Sequence, residues 1–89
     1  MRSVKIVIKG NVQGVFFRAS VRRFALANDI AGRVKNLDDG SVEVVAQGSE
    51  ESVAELIAVC HEGPSGAEVT EVLVENINID SSLSGFSMY

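Results

Sequence analysis

Apolar and polar residues recur with two different spacings along the chain, and each spacing predicts a type of secondary structure. Alternation of apolar and polar residues in four stretches predicts β-strands. Apolar residues three and four positions apart, as from Phe17 to Ala25, predict two α-helices that each bury one face. The predicted strands cover residues 3–9, 30–38, 42–47 and 68–80, the predicted helices cover 17–28 and 50–62, and residues 86–89 are a candidate for a short final strand.

Residues that favour turns and helix ends lie between these stretches. Asp39 and Gly40 directly before an alternating run predict a hairpin turn in which Gly40 is left-handed. Ser49 is suited to cap the second helix, and Gly63 followed by a proline ends it. The apolar residues of 68–80 change phase, so we expect a β-bulge or another irregularity in that strand.

The order strand, helix, strand, strand, helix, strand predicts a fold of the α+β class. It is the order of the ferredoxin-like βαββαβ sandwich, an antiparallel sheet with two helices on one face. The length and the absence of a linker or repeat predict a single domain over residues 1–89. Since this fold has many functions, the fold alone does not decide what the chain does.

Composition places the chain among globular proteins, because 46% of its residues are hydrophobic and 22% are charged. The single cysteine, Cys60, cannot form an internal disulfide, which favours a reducing, intracellular location. No apolar run is long enough to cross a membrane, and the first residues lack the core of a signal peptide. We therefore expect a cytoplasmic protein that is not associated with a membrane.

Basic and acidic residues are distributed unevenly between the two parts of the chain. All eight Lys and Arg residues lie within residues 1–35, which carry a net charge of +7, whereas residues 36–89 contain eleven acidic residues and no Lys or Arg. Either the N-terminal part binds an anionic partner, or the two parts attract each other once folded. The net charge of −4 disfavours long nucleic acid as a partner.

The segment from Gly10 to Arg18 joins the first predicted strand to the first predicted helix. Helices usually begin with a Ser, Thr, Asp or Asn that caps free N–H groups, but residues 12–17 contain none of these. The first turn, where the helix dipole favours acidic side chains, contains Arg18 instead. We predict that a phosphoryl-like anion binds Arg18 and the neighbouring N–H groups and completes the cap. The alternative is that Arg18 is an ordinary surface residue.

Asn36 is the second candidate for the site. In a regular strand it shares a face with Val34, where an amide needs hydrogen-bond partners. It either orients a water molecule beside the anion or begins the turn before Asp38. Cys60 and His61 are the only cysteine and histidine, and two adjacent residues on one helix do not make a zinc site, so no metal site is predicted.

These residues resemble the acylphosphatase family. The family's first signature, G-x-V-Q-G-V-x-F-R, is matched from Gly10 to Arg18, and a second signature follows at the spacing that the family uses. The likeness continues through Gly63 and Pro64 to Phe86 and covers nearly the whole chain. The residues that match the second signature are Gly32, Val34, Lys35, Asn36, Gly40, Val42 and Gly48.

The resemblance implies the βαββαβ fold and the hydrolysis of a small-molecule acyl phosphate to a carboxylate and inorganic phosphate, which is both product and inhibitor. It also implies that Arg18 and the main chain hold the phosphoryl group, that Asn36 orients the attacking water, and that no metal or cofactor takes part. We further expect a monomer. The expected phosphate-binding residues are Val12, Gln13, Gly14, Val15, Phe16, Phe17 and Arg18, and the expected catalytic residues are Arg18 and Asn36.

The chain departs from the family pattern at a few positions. Arg33 stands where an aromatic or apolar residue is usual, Ser65 and Gly66 replace a proline-rich stretch, and Cys60 replaces an aromatic residue. Two other functions stay open: a non-catalytic sensor of a phosphorylated metabolite, and an RNA-binding module on the same fold. The RNA-binding module needs exposed aromatic residues on the open face of the sheet, for which Tyr89 and Phe86 are the candidates.

Overall fold

The computed structural model describes all residues of the chain, 1–89, and contains the predicted elements in the predicted order. A short fifth strand follows them, in the stretch that the sequence marked as a candidate. The elements are β1 (Arg2–Asn11), α1 (Phe17–Ala27), β2 (Ala31–Asn36), β3 (Val42–Gly48), α2 (Glu50–Glu62), β4 (Glu68–Asn76) and β5 (Phe86–Met88).

The five strands form one sheet in the order β4-β1-β3-β2-β5. β1 pairs antiparallel with both β3 and β4, and β3 pairs antiparallel with β2. β5 pairs with β2 in parallel, so the predicted antiparallel sheet gains one parallel strand at its edge. Both helices pack on the same face of this sheet, because residues of α1, α2 and one face of the strands form a single core. The ferredoxin-like α+β fold is therefore confirmed.

The hydrophobic core lies between the helices and the covered face of the sheet. Val4, Ile6 and Ile8, the alternating apolar residues of β1, have no exposed surface. Val21 of α1 and Leu56 of α2 are equally buried and belong to the same core. Burying an apolar side chain of this size stabilises the folded state by about 1.5–3 kcal/mol. In β1 and in both helices, the spacing of the apolar residues thus reflects the burial of one face of the element.

The change of phase in the predicted fourth strand corresponds to a β-bulge. Lys9 and Gly10 of β1 pair with Glu71 and Val69 of β4, which leaves the intervening Thr70 without a partner. The two strands approach closely beside it: a Cβ atom on Gly10 would lie 2.0 Å from a main-chain oxygen of β4. The expected irregularity is therefore confirmed, and a glycine is required opposite to it.

Two strands are shorter than predicted. β2 ends at Asn36 because the hairpin turn already begins at Leu37, whose N–H donates to the Ser41 main-chain oxygen at 2.8 Å. β4 ends at Asn76, after which the chain crosses from one edge of the sheet to the other and forms β5.

The side chain of Gln47 holds the crossing segment. Its amide nitrogen donates to the main-chain oxygen of Asp80 at 2.9 Å, and its amide oxygen accepts from the Asp80 N–H at 2.8 Å. The apolar alternation in the sequence continues through Ile77 and Ile79, so it did not mark the residue at which the strand ends.

Candidate active site

Helix α1 begins without a side-chain cap, as the sequence predicted. Its N-cap residue is Phe16, no side chain accepts a hydrogen bond from its first turn, and that turn contains no acidic residue. Helix α2 differs, because the Ser49 hydroxyl accepts a hydrogen bond from the Ser52 N–H at 3.1 Å and two glutamates lie in its first turn. The first N–H groups of α1 are therefore free to bind an anion.

The main chain of residues 13–17, which we call the nest, alternates positive and negative φ angles, as anion-binding nests do. Gly14 and Phe16 have positive φ angles of 73° and 64°, whereas the residues on either side of each do not. Residues that alternate between right-handed and left-handed conformations direct successive N–H groups toward one concave side. No hydrogen bond within the chain uses the N–H groups of this segment. The segment can therefore donate several hydrogen bonds to one oxyanion.

Arg18 lies in the first turn of α1, and its guanidinium group contacts the main chain of Tyr89. One terminal nitrogen donates a hydrogen bond to the main-chain oxygen of Tyr89, while the Tyr89 N–H donates to the Val34 main-chain oxygen at 2.9 Å. One turn later in the helix, Arg22 Nε donates to the Phe86 main-chain oxygen at 3.0 Å. The contact with Tyr89 thus positions Arg18, a role that the sequence did not reveal for Tyr89, and Arg22 separately joins α1 to β5.

Asn36 is the last residue of β2 and shares the covered face of the sheet with Val34, as predicted. Its Oδ1 atom is buried and has no hydrogen-bond partner within the chain. Leaving such an atom without a partner costs about 1–3 kcal/mol, so a donor such as water is expected beside it. The following turn does not use Asn36, because Asp39 accepts the turn's hydrogen bond from the Ser41 N–H at 3.0 Å. The alternative turn role for Asn36 is therefore not observed.

Arg18 and Asn36 line one pocket of about 280 Å³ at the start of α1. Their side chains come from a helix and a strand, and the nest directly precedes Arg18 in the chain. Gln13 and Val15 were expected at the phosphate site but do not line this pocket, although their main chain belongs to the nest. The lining residues are Val12, Gly14, Phe16, Phe17, Arg18, Ala19, Asn36 and Met88.

The Gln13 side chain does not line the pocket and instead joins the nest to the turn between β2 and β3. Its amide nitrogen donates to two main-chain oxygens, those of Leu37 at 2.8 Å and Ser41 at 2.9 Å. Leu37 directly follows Asn36 in the chain. Gln13 therefore connects the anion-binding segment to the strand end that presents Asn36.

The residues at which the chain departs from the family pattern do not line the pocket. Arg33 is exposed and, by strand alternation, faces the side of the sheet opposite to Asn36. Hydrogen bonds from Ser82 hold the pKa of Asp80 below its ordinary value, and the nearby charge of Arg33 lowers this pKa further.

Cys60 is completely buried, and burial raises the pKa of its thiol to about 12, so it packs in the core as a neutral group.

The open face of the sheet presents no aromatic side chain from its strands. Of the two candidates for the RNA-binding alternative, Phe86 is buried in the core, whereas Tyr89 follows β5 and is exposed. No group of three or more His, Cys, Asp and Glu side chains is arranged to hold a metal ion. Neither helix has the length and apolar character needed to span a membrane.

Comparison with known proteins shows the family of this chain. The family model described as Acylphosphatase matches residues 4–88. An acylphosphatase of Pelotomaculum thermopropionicum is 42% identical over 83 residues, covering 93% of this chain and 90% of the relative. One from Caldivirga maquilingensis is 45% identical over 86 residues, covering 96% and 90%. The crystal structure of acylphosphatase from Bacillus subtilis superposes with a TM-score of 0.95 at 34% identity, covering 100% of this chain and 99% of that one.

Proposed function

Since the chain belongs to the acylphosphatase family and hydrolyses acyl phosphates, we propose that Arg18 and the main chain of residues 12–18 bind the phosphoryl group while Asn36 orients the attacking water. The observation that carries this proposal is the pocket in which an uncapped helix start, an arginine and an unpartnered amide oxygen converge.

The phosphoryl group binds where the helix start lacks a cap. Its oxygens accept hydrogen bonds from the nest of residues 13–17 and from the guanidinium donors of Arg18 that Tyr89 leaves free. The positive end of the helix dipole adds to this attraction. Because the negative charge of the phosphoryl oxygens is spread over several donors, the site stabilises the transition state of phosphoryl transfer by positioning and electrostatics.

The attacking water donates a hydrogen bond to the buried oxygen of Asn36, which supplies the missing partner of that atom. The water oxygen forms a bond to phosphorus, and the bond between phosphorus and the bridging oxygen breaks, with its electron pair leaving on the carboxylate. A phosphoryl oxygen accepts the proton of the water, because an amide has no suitable pKa to act as a base. A carboxylate is a good leaving group, so no metal ion or protein acid is required in this proposal.

The central experiment measures hydrolysis of acetyl phosphate in excess chelator and subtracts the spontaneous rate. We expect turnover that inorganic phosphate inhibits competitively. Arg18→Ala should lose both phosphate binding and rate, by about 10²–10³-fold in kcat/KM. Asn36→Ala should lower kcat by about 10²-fold while the inhibition constant of phosphate changes little, because Asn36 contacts the water and not the phosphoryl group.

Arg23→Ala is the matched control, since Arg23 is an exposed arginine of the same helix that does not line the pocket. Normal turnover by Asn36→Ala would disprove the water-orienting role. Loss of all activity in chelator, with recovery on adding a metal, would disprove metal independence.

We also propose that the protein acts as a monomer in the cytoplasm. The residues that line the pocket all come from one chain, so the site needs no second copy. Sedimentation at micromolar concentration and fractionation of cells test these two points.

A further inference from the structure

We propose that Phe16 and Met88 form an acyl-binding surface at the mouth of the pocket, and that this surface selects acyl phosphates whose acyl group is apolar and uncharged. The proposal rests on the proposed function, because it assigns the part of the pocket that the phosphoryl group and the water leave unoccupied.

Phe16 and Met88 are large apolar side chains that line the pocket and nevertheless face solvent. Phe16 is 84% exposed and Met88 is 47% exposed. Neither is buried by the fold, so their apolar surface contributes little to stability in the free protein. Ala19 lines the same pocket and adds to its apolar surface. An acyl group bound here would cover apolar surface that is otherwise in contact with water.

The backbone conformation of Phe16 is a second reason to assign its ring to substrate binding. Its φ angle of 64° lies in the left-handed region, which glycine adopts more easily than a residue with a side chain. A solvent-exposed aromatic ring at such a position gains nothing from core packing. Strain of this kind at the rim of a pocket is typical of a residue that serves binding.

The charges around the pocket determine which acyl groups fit. Arg18 is the one charged residue that lines the pocket, and the proposed phosphoryl site uses it. No second cation is available for a carboxylate or phosphate on the acyl group, and removing such a charge from water without a partner is costly. The net charge of −4 further disfavours a more negative substrate.

The test compares benzoyl phosphate with 4-carboxybenzoyl phosphate, which differ by one remote carboxylate. The kcat/KM of each substrate is divided by its spontaneous hydrolysis rate, so that the intrinsic reactivity of the anhydride cancels. We expect the intact protein to prefer benzoyl phosphate by about tenfold or more. Met88→Lys should reduce this preference by about fivefold, because it places a cation against the acyl group.

Leu73→Lys is the matched control, since Leu73 is 46% exposed, almost as Met88 is, and lies on β4 away from the pocket. It changes the net charge equally, so the substrate preference should stay as in the intact protein. In a second arm, Phe16→Ala should lower the ratio of benzoyl to acetyl phosphate turnover by about fivefold, through loss of the ring contact.

Equal normalised constants for the two benzoyl substrates, or equal effects of Met88→Lys and Leu73→Lys, would overturn the acyl-binding surface while leaving the hydrolase intact. An unchanged benzoyl-to-acetyl ratio in Phe16→Ala would remove Phe16 from that surface. Failure to hydrolyse any of the three substrates would contradict the proposed function itself.

Discussion

At position 16 the main-chain conformation favours glycine, whereas the residue present is phenylalanine. Phe16 has a left-handed φ of 64° directly before α1, and its carbonyl oxygen accepts a hydrogen bond from the Ser20 N–H at 3.0 Å. The nest depends on this conformation, whereas the ring contributes almost no buried surface. The conformation is thus required by the loop, and the proposed acyl contact accounts for the ring.

At this residue we predict that Phe16→Gly is more stable than Phe16→Ala by about 1 kcal/mol. Both variants remove the ring, but only glycine adopts the left-handed conformation without a Cβ penalty, and this gain exceeds its larger entropy loss on folding. Urea unfolding of the two variants measures the difference directly. If alanine were the more stable of the two, residue 16 would not hold a strained conformation in solution.

The sequence identified some residues of the site more easily than others. The missing cap and Arg18 were predictable because helix caps and first turns have strong local preferences. Asn36 was predictable as an amide on an apolar face. The conformation of Phe16 was not, since an aromatic residue is among the least expected at a positive φ. The contact of Arg18 with Tyr89 was also hidden, because it joins residues 71 positions apart.

The 12–18 segment and the turn between β2 and β3 form one unit because the side chain of Gln13, a residue of the segment, donates hydrogen bonds to the turn. The two oxygens that it binds also accept main-chain hydrogen bonds, from Gly40 to Leu37 at 3.2 Å and from Leu37 to Ser41 at 2.8 Å. The turn therefore keeps its own hydrogen bonds without Gln13. Gln13 instead fixes the position of the turn relative to the nest. The Gln13 side chain therefore ties the nest to the turn that follows Asn36.

We predict that Gln13→Ala lowers the free energy of unfolding by about 1–2 kcal/mol, the value of two lost hydrogen bonds. It should also lower kcat/KM for acetyl phosphate by about tenfold, because the two parts of the site lose their fixed separation. Gln13→Glu should destabilise more, since an ionised carboxylate would face two carbonyl oxygens. A loss of stability without any kinetic change would show that Gln13 has a purely structural role.

Over the whole molecule, the uneven charge distribution is partly explained by the sheet. Lys5 pairs with Glu75 at 3.6 Å and Lys35 with Glu43 at 3.9 Å, each joining a base of the N-terminal part to an acid of the C-terminal part. The alternative that the two parts attract each other is therefore observed, although surface pairs contribute only about 0–1 kcal/mol each. Of the eight basic residues, only Arg18 lines the pocket.

Cys60 links the stability of the whole fold to alkaline pH. Burial raises the pKa of its thiol from 9.0 to about 12 in the folded protein, while the unfolded chain exposes it. Between these two values the unfolded state loses the proton and the folded state keeps it, so stability falls as the pH rises. The stability that the buried neutral thiol contributes is fully retained below about pH 9. Each pH unit within this range costs about 1.4 kcal/mol.

We therefore predict that the intact protein loses about 2 kcal/mol of unfolding free energy relative to Cys60→Ala between about pH 8 and pH 10.5. All other ionisable groups are the same in the two proteins, so their effects cancel in the difference. Urea unfolding at a series of pH values measures it, and the constant cost of the cavity in Cys60→Ala appears only as an offset. A difference that does not vary with pH would mean that the thiol ionises as readily in the folded core as in water.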